Sequence, residues 1–287
     1  MITLIKRNLK LFFRDKAGVF FSLLAVLITI VLYMFFISEI LLPDELKPLP
    51  SSEIVKASWI AAGLLTTASV TTTLGAAGAM INDRERKIER DFRASPVSSR
   101  ALTGGYLLST FSVGALMTTV TFALSIVYIV SKGGSVPQFD IILKVLGIIL
   151  LSVFAGTAIV TFIVSFLKSN NAFIAANTVI GTLIGFLTGI FIPMGVLPDA
   201  VQNVVRAFPL TYAASLFRKV LVDEPMAEMF EGAPAELVNE FREVMGITLK
   251  FGDNEVSTPA AILVLLATAA AFYGLSLVNI SRRNRSR

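Results

Sequence analysis

The chain has 287 residues, 55% of them apolar, and a formal net charge of +5. Its mean hydropathy is +0.77, and its apolar share exceeds the roughly 45–50% of soluble domains. It holds no His and no Cys, which excludes a histidine proton relay, a Ser-His-Asp triad, a disulfide framework and any metal site built on those side chains. Six apolar stretches follow one another: Gly18–Ile37, Ala57–Ile81, Ala101–Ser131, Val145–Leu167, Ala172–Leu197 and Thr258–Ile280, none with a charge in its middle. A helix needs about 20 apolar residues to cross hydrocarbon, and it satisfies its own backbone there. The sequence therefore predicts an all-α integral membrane protein of six transmembrane helices.

The first stretch is longer than the apolar region of a secretory signal, and no small-residue cleavage site follows it, so a retained helix is expected. Ahead of it, residues 1–16 carry Ile2, Ile5, Leu9 and Phe12 on one face and Lys6, Lys10 and Arg14 on the other. That pattern predicts an amphipathic interfacial helix or, more plainly, a basic anchor. Prolines and serines mark Pro43–Ser52 as a loop. Span two holds Thr66, Thr67, Ser69, Thr71, Thr72 and Thr73. These hydroxyls either line a cavity or bond carbonyls one turn back and hold neighbouring helices together.

Residues 82–100 carry opposite charges four apart at Asp83/Lys87, Lys87/Asp91 and Glu89/Arg93. Such pairs support an exposed helix by about 0.2–0.5 kcal/mol each; Ile88 and Phe92 give it an apolar edge, and Pro96 breaks it at Ser95. Lys132–Pro137 and Lys168–Asn171 read as turns. Span five contains Asn177, Thr178, Thr182 and Thr188. Asn177 is costly in lipid and is expected at a helix interface or cavity. Gly181, Gly185 and Gly189 recur every four residues, a spacing that lets helix backbones approach, and Phe173, Phe186 and Phe191 read as packing. Residues 198–218 are too polar to cross and too apolar for a solvated loop. A re-entrant or interfacial helix pair on the outer side fits, since such backbone persists at depth only when buried in protein or lining a cavity. Residues 219–257 form the largest outer element, with a helical stripe at Leu237, Phe241, Val244 and Met245 and a turn at Gly252–Asn254. The whole, 1–287, reads as one transmembrane domain with an outer region at 198–257.

Charge sets the expected orientation. Lys6, Arg7, Lys10, Arg14, Lys16, the six basic residues of 84–100, Lys168 and four arginines of the tail fall on one side, sixteen against five acidic residues. The other side keeps nine basic and fifteen acidic residues. The positive-inside rule makes the basic side cytoplasmic, with both termini there, in a multi-pass cell-membrane protein. This asymmetry, with the pull of anionic lipid on juxtamembrane Lys and Arg, explains a pI near 9.5 without any nucleic acid. There is no G-x-x-x-x-G-K-[ST] and no Gly-Lys dipeptide at all, so the chain has no P-loop of its own. Uncharged span centres also argue against a carboxylate-relay antiporter. The energy for any transport is expected from outside the chain.

Six spans, an amphipathic N-terminal helix, a charged first inner loop and a re-entrant element after span five together resemble the type-two ABC transporter permeases, the membrane subunits of drug, antibiotic and polysaccharide exporters. In that family the inner loop reads as an acidic-basic stretch, then Gly-Thr, then a small-Pro-Val-Ser run. Arg84-Glu85-Arg86 and Ser95-Pro96-Val97-Ser98 match, and Lys87-Ile88 stand at or near the Gly-Thr position. Phe208-Pro209-Leu210-Thr211-Tyr212 resembles the family's Pro-Leu-Thr-Tyr segment.

The resemblance implies a permease paired with a second copy or a homologue and docked to two copies of a separate ATP-binding cassette subunit. ATP and Mg would be bound by that partner, with no cofactor in this chain. Arg84, Glu85, Arg86, Glu89, Arg93, Ser95 and Pro96 would form the coupling segment, where complementary charge sets register. Spans two and five would line the path, with Thr66, Thr67, Val70, Thr73, Phe173, Asn177 and Thr178 along it. The cargo is expected to be hydrophobic or amphiphilic and to move outward by alternating access, because a charged one would need fixed counter-charges. Two other readings stand beside this one. A lipid-linked polysaccharide exporter is weakly disfavoured by a single Trp (Trp59) and five Tyr. A membrane sensor or scaffold would use 219–257 to bind a ligand. A membrane enzyme finds no His, Cys or intramembrane carboxylate to work with.

Overall fold

The structure, a computed structural model, describes residues 2–32, 41–88, 92, 99–251 and 254–285. It is all-α apart from one two-residue hairpin. Helices α1 (Ile2–Arg14) and α2 (Lys16–Leu32) precede the long α3 (Ser52–Glu85), α4 (Ser99–Ser131), α5 (Phe139–Phe166) and α6 (Asn170–Leu187). A 3-10 turn at Met194–Val196 leads to α7 (Asp199–Ala207), α8 (Leu210–Met229) and α9 (Ala235–Val244). Strands β1 (Lys250–Phe251) and β2 (Asn254–Glu255) pair antiparallel before α10 (Thr258–Arg285).

Among the described residues, five helices are long and apolar enough to cross a membrane: Ser52–Glu85, Ala101–Ser131, Phe139–Phe166, Asn170–Leu187 and Thr258–Asn279. The first expected span, Gly18–Ile37, is helical through Leu32 as α2; its remainder lies outside the described residues. The protein is therefore a multi-pass, all-α membrane protein with five such spans described.

Helix α3 is the central post. It packs against α4, α5, α6 and α8, and Val55, Trp59, Leu65, Leu74 and Ile81 along it are sealed from solvent. Small residues let its neighbours come close. A Cβ at Gly114 of α4 would fall 2.4 Å from Thr73 Cγ2, and one at Gly156 of α5 would fall 3.2 Å from the Ser69 carbonyl oxygen. Ser69 and Ser152 hydroxyls share a hydrogen bond of 2.7 Å between α3 and α5. With no hydrophobic drive between helices in lipid, close packing and such polar links supply the adhesion. Helices α6 and α10 lie at the periphery, most of their apolar residues exposed.

The chain departs from expectation in three places. Span five was expected to run to Leu197, but α6 ends at Leu187. Gly189 adopts φ +65°, its N–H bonds Phe186 O, and Ile190 N–H reaches back to Gly185 O. This closure satisfies the last carbonyls and needs a residue tolerant of left-handed backbone. The short exposed helix expected within 82–100 does not start at Asp83: α3 runs straight from the span to Glu85 and the chain turns at Arg86 and Lys87, where Lys87 has φ +62°, before Ile88 and Phe92 are again helical. Residues 89–91 and 93–98 lie outside the described residues. Finally, no boundary falls at Arg218/Lys219. Helix α8 crosses it, because Leu210, Ala213, Ala214, Phe217 and Val222 are all buried in one continuous helix that packs on α3 and α5.

Candidate functional site

At the end of α3 where the charged segment begins, three elements are tied together. Arg7 of α1 makes a two-pronged ion pair with Asp83, Nη1 to Oδ2 at 2.6 Å and Nη2 to Oδ1 at 2.8 Å. Tyr106 of α4 donates to the same carboxylate at 2.6 Å. Beside it, Asn8 Nδ2 donates to Ser109 Oγ at 3.0 Å. Two-pronged guanidinium–carboxylate pairs are among the stronger polar contacts and fix orientation. The hydrogen bonds to Asp83 hold the Arg7 guanidinium above the ordinary arginine value. Arg7 also lies 5.4 Å from the ring centroid of Phe92, in the charged segment itself. The buried centre of α1 is thus Asn8, while Ile2 is exposed.

The expected coupling residues divide. Arg84 is half-buried and donates to the carbonyls of Val164 and Leu167, 3.2 and 3.3 Å. It caps the C-terminal end of α5, where a cation is favoured. Glu85 accepts from the Asn170 N–H at 3.4 Å, at the start of α6. Both therefore brace the turn between α5 and α6, and only Arg86 of this trio is exposed without such a contact. Glu89, Arg93, Ser95 and Pro96 lie outside the described residues. The expected Asp83/Lys87 pair does not form, because Asp83 turns inward to Arg7 and Lys87 lies past the helix end.

The expected path residues do not converge. Thr66 and Thr73 are sealed inside the protomer, bonding Ala62 O at 2.9 Å and Val70 O at 2.7 Å. Val70 is 2% exposed. Thr67 is half-buried, and its hydroxyl meets that of Thr188 at 3.4 Å. Phe173 is buried, its ring against Gly78. Asn177 and Thr178 are exposed on α6. The open face of α3 is instead Thr67, Thr71, Gly75 and Gly78, and Gly75 and Gly78 line a cavity of about 530 Å3 with Asn8, Asp15, Asn82, Asp83 and Arg86. Three- and four-residue spacing on a helix could have identified that face, but hydroxyl content pointed to the neighbouring one. In the glycine series, Gly181 has nothing within 4 Å, Gly185 is filled by Phe191 of the same chain, and Gly189 is the helix-ending turn.

At the opposite end, Arg218 of α8 is 1% exposed. It donates to Gly189 O at 2.8 Å, Thr188 O at 3.1 Å and Gly246 O at 3.3 Å. Gly246, φ +62°, closes α9 as Gly189 closes α6. Two helix C-termini, each carrying partial negative charge, thus meet on one guanidinium. Trp59 lies flat against it, 4.6 Å away, and donates Nε1–H to Met245 O at 2.7 Å. The junction itself does not stand out in the sequence: Arg218 reads as a charge at the end of an outer helix pair, and Trp59 only as the single Trp. Among the described residues no group of acidic side chains could hold a metal ion. Among the described residues the arrangement is one of braced helix ends and cavities.

A search of curated proteins gives no match. The family model of the ABC-2 type transporter does match, over residues 1–222. That span takes in α1, the central post α3, the braced turn between α5 and α6, and Trp59 and Arg218, though not the α9 end that those two bind. This multi-pass membrane chain belongs to the ABC-2 type transporter family, whose permeases work with ATP-binding subunits.

Proposed function

We propose that the chain is one membrane half of an ATP-driven exporter, moving a hydrophobic or amphiphilic cargo outward by alternating access. In this reading it pairs with a second permease copy or a homologue, and each half docks one ATP-binding subunit at 82–100, with both termini cytoplasmic. Helix α2 belongs to the expected first span, Gly18–Ile37, which completes the six, and 198–218 supply the re-entrant element on the outer side. The observation that carries it is the link from Phe92 through Arg7 to Asp83 and Tyr106. A push on the inner loop reaches α1, α3 and α4 at once through a cation–ring contact and partly buried polar contacts, the kind of contiguous network that carries coupling to an external motor. The open side of α6 supports pairing. Asn177, Thr178 and Thr182 are exposed there, and an amide left in lipid is costly, so a second chain covers it. Trp59 is enclosed by the protein and offers no sugar platform, which speaks against a polysaccharide path.

The test is co-purification. The tagged chain is co-expressed with an ATP-binding subunit of the same genome and extracted in mild detergent. Equimolar co-elution, lost in Glu89→Lys, is expected. Elution without any ATP-binding subunit in several detergents overturns the reading in favour of a sensor or scaffold.

A further inference from the structure

A second cavity, of about 560 Å3, opens on the outer side between the first outer loop, the segment after α6 and α9. Its walls are almost wholly apolar and include three phenylalanine rings, Phe191, Phe230 and Phe241. Phe230 and Phe241 pack with ring centroids 5.0 Å apart. Phe191 is held edge-on to Phe186 at 5.2 Å and rests where a Cβ at Gly185 would be. The volume and lining are those of a small-molecule pocket, which joins mostly apolar walls to a few polar groups.

Among the described residues one charge lines it, Glu240. The charges beside Glu240 on α9 are engaged: Arg242 pairs with Asp223 at 3.0 Å, and Glu243 pairs with Lys250. Arg206, which shares a smaller adjoining cavity with Glu240, donates to Gln202 and Asn203. Glu240 has no such partner among the described residues. An aromatic face attracts a cation through its negative quadrupole, most of all a quaternary or bulky ammonium, and a free carboxylate at the mouth adds long-range attraction. From this we infer that the outer pocket binds a lipophilic cation, its apolar body among the phenylalanines and its charge toward Glu240. The inference rests on the exporter reading for its setting, an exit-side site for cargo, and narrows the cargo to cationic amphiphiles.

The experiment uses the full chain in nanodiscs of zwitterionic lipid, with no ATP-binding subunit present. The probes are a naphthyl compound ending in trimethylammonium and its neutral isostere ending in tert-butyl. Binding is read by probe fluorescence. The wild type is expected to bind the cation at least about tenfold more tightly than the isostere, the order expected of a desolvated cation–aromatic contact. Glu240→Gln, at an exposed position, is expected to erase most of that preference. Val196→Trp, which fills the pocket from another exposed position, is expected to remove binding of both probes. Equal affinity for the two probes overturns the charge assignment and leaves an apolar or lipid site. Absence of binding, or binding untouched by Val196→Trp, overturns the pocket itself. None of these readouts involves transport or docking, so they fail separately from the exporter reading.

Discussion

The guanidinium of Arg218 lies against the face of Trp59, 4.6 Å from the ring centroid, with α3, α6, α8 and the turn after α9 all meeting there. Three carbonyl oxygens accept hydrogen bonds from its Nη1 and Nη2 groups. Arg218→Met keeps the bulk and removes the donors. Each buried carbonyl left without a partner costs about 1–3 kcal/mol, so a large drop in thermal stability is expected. Arg218→Lys restores only part of it, because a compact ammonium cannot reach acceptors that a planar fork spans. Trp59 is the only Trp, so intrinsic fluorescence reports this junction alone. Both variants are expected to shift that emission and melt earlier, with methionine the worse. A melt like the wild type's from Arg218→Met would show the junction to be idle.

The Arg7–Asp83 pair makes a different claim, about coupling. Asp83 is buried, while the Arg7 side chain keeps 30% of its surface exposed, so solvent screens part of the interaction. Arg7→Met is expected to cost about 1–3 kcal/mol, mostly because it leaves a buried carboxylate with Tyr106 alone. The sign of the pH effect follows from the raised Arg7 value. A cation whose folded value is raised contributes stability below its unfolded value and loses it only as pH rises through the folded one. Both lie far above neutrality, so the difference between wild type and Arg7→Met should stay flat from pH 6 to 9. In the assembled transporter the same variant is expected to leave ATP hydrolysis running while export falls. Hydrolysis and export falling together would contradict a linking role.

How much of this was legible in the sequence depends on what each feature needs. Apolar length alone places α3, α4, α5, α6 and α10, because lipid leaves the backbone no alternative. The basic stripe of α1 and the pairing of β1 with β2 also follow from local pattern. The junctions do not. Arg7 and Asp83 are 76 positions apart, and both are residue types that ordinarily face water, so each reads as a topology charge. For Thr66 and Thr73 the sequence allows either a cavity lining or a bond one turn back; the resemblance places them on the path, and the structure shows the back-bonds. Gly189 fell into a four-residue series that ignores backbone handedness. The open face of α3 is made by Gly75 and Gly78, whose contribution is the absence of a side chain, and composition does not register that.

Lys87 offers a test of local strain. It sits just past the end of α3 at φ +62°, a conformation costing a residue with a Cβ about 1–2 kcal/mol. The family resemblance places Gly-Thr at or near this point, and glycine carries no such penalty. Lys87→Gly is therefore expected to stabilise the protein by about 0.5–1 kcal/mol, once the greater freedom of glycine in the unfolded chain is set against the relief. The gain would appear as a higher melting temperature in detergent. Lys87→Ala, which removes the ammonium and keeps the Cβ, is the control and should give no gain. Equal gains from both would assign the effect to charge.

Gly181 and Gly185 lie one turn apart on α6, and their surroundings make opposite predictions. A Cβ at Gly185 would fall 2.1 Å from the Phe191 ring, so Gly185→Leu drives that ring off its seat. Protomer stability should fall, by the 1–3 kcal/mol or so typical of overpacking, and the outer pocket should lose its probe. Gly181 has nothing of its own chain within 4 Å, so Gly181→Leu should leave the protomer's melt unchanged. If a second copy covers the Asn177 side of α6, however, the added side chain holds the two backbones apart, as bulk does at any small-residue helix contact. Light scattering in detergent would then find monomer where the wild type is a dimer. An intact dimer with an unchanged melt would put Gly181 on the lipid side and move the pairing surface to another helix.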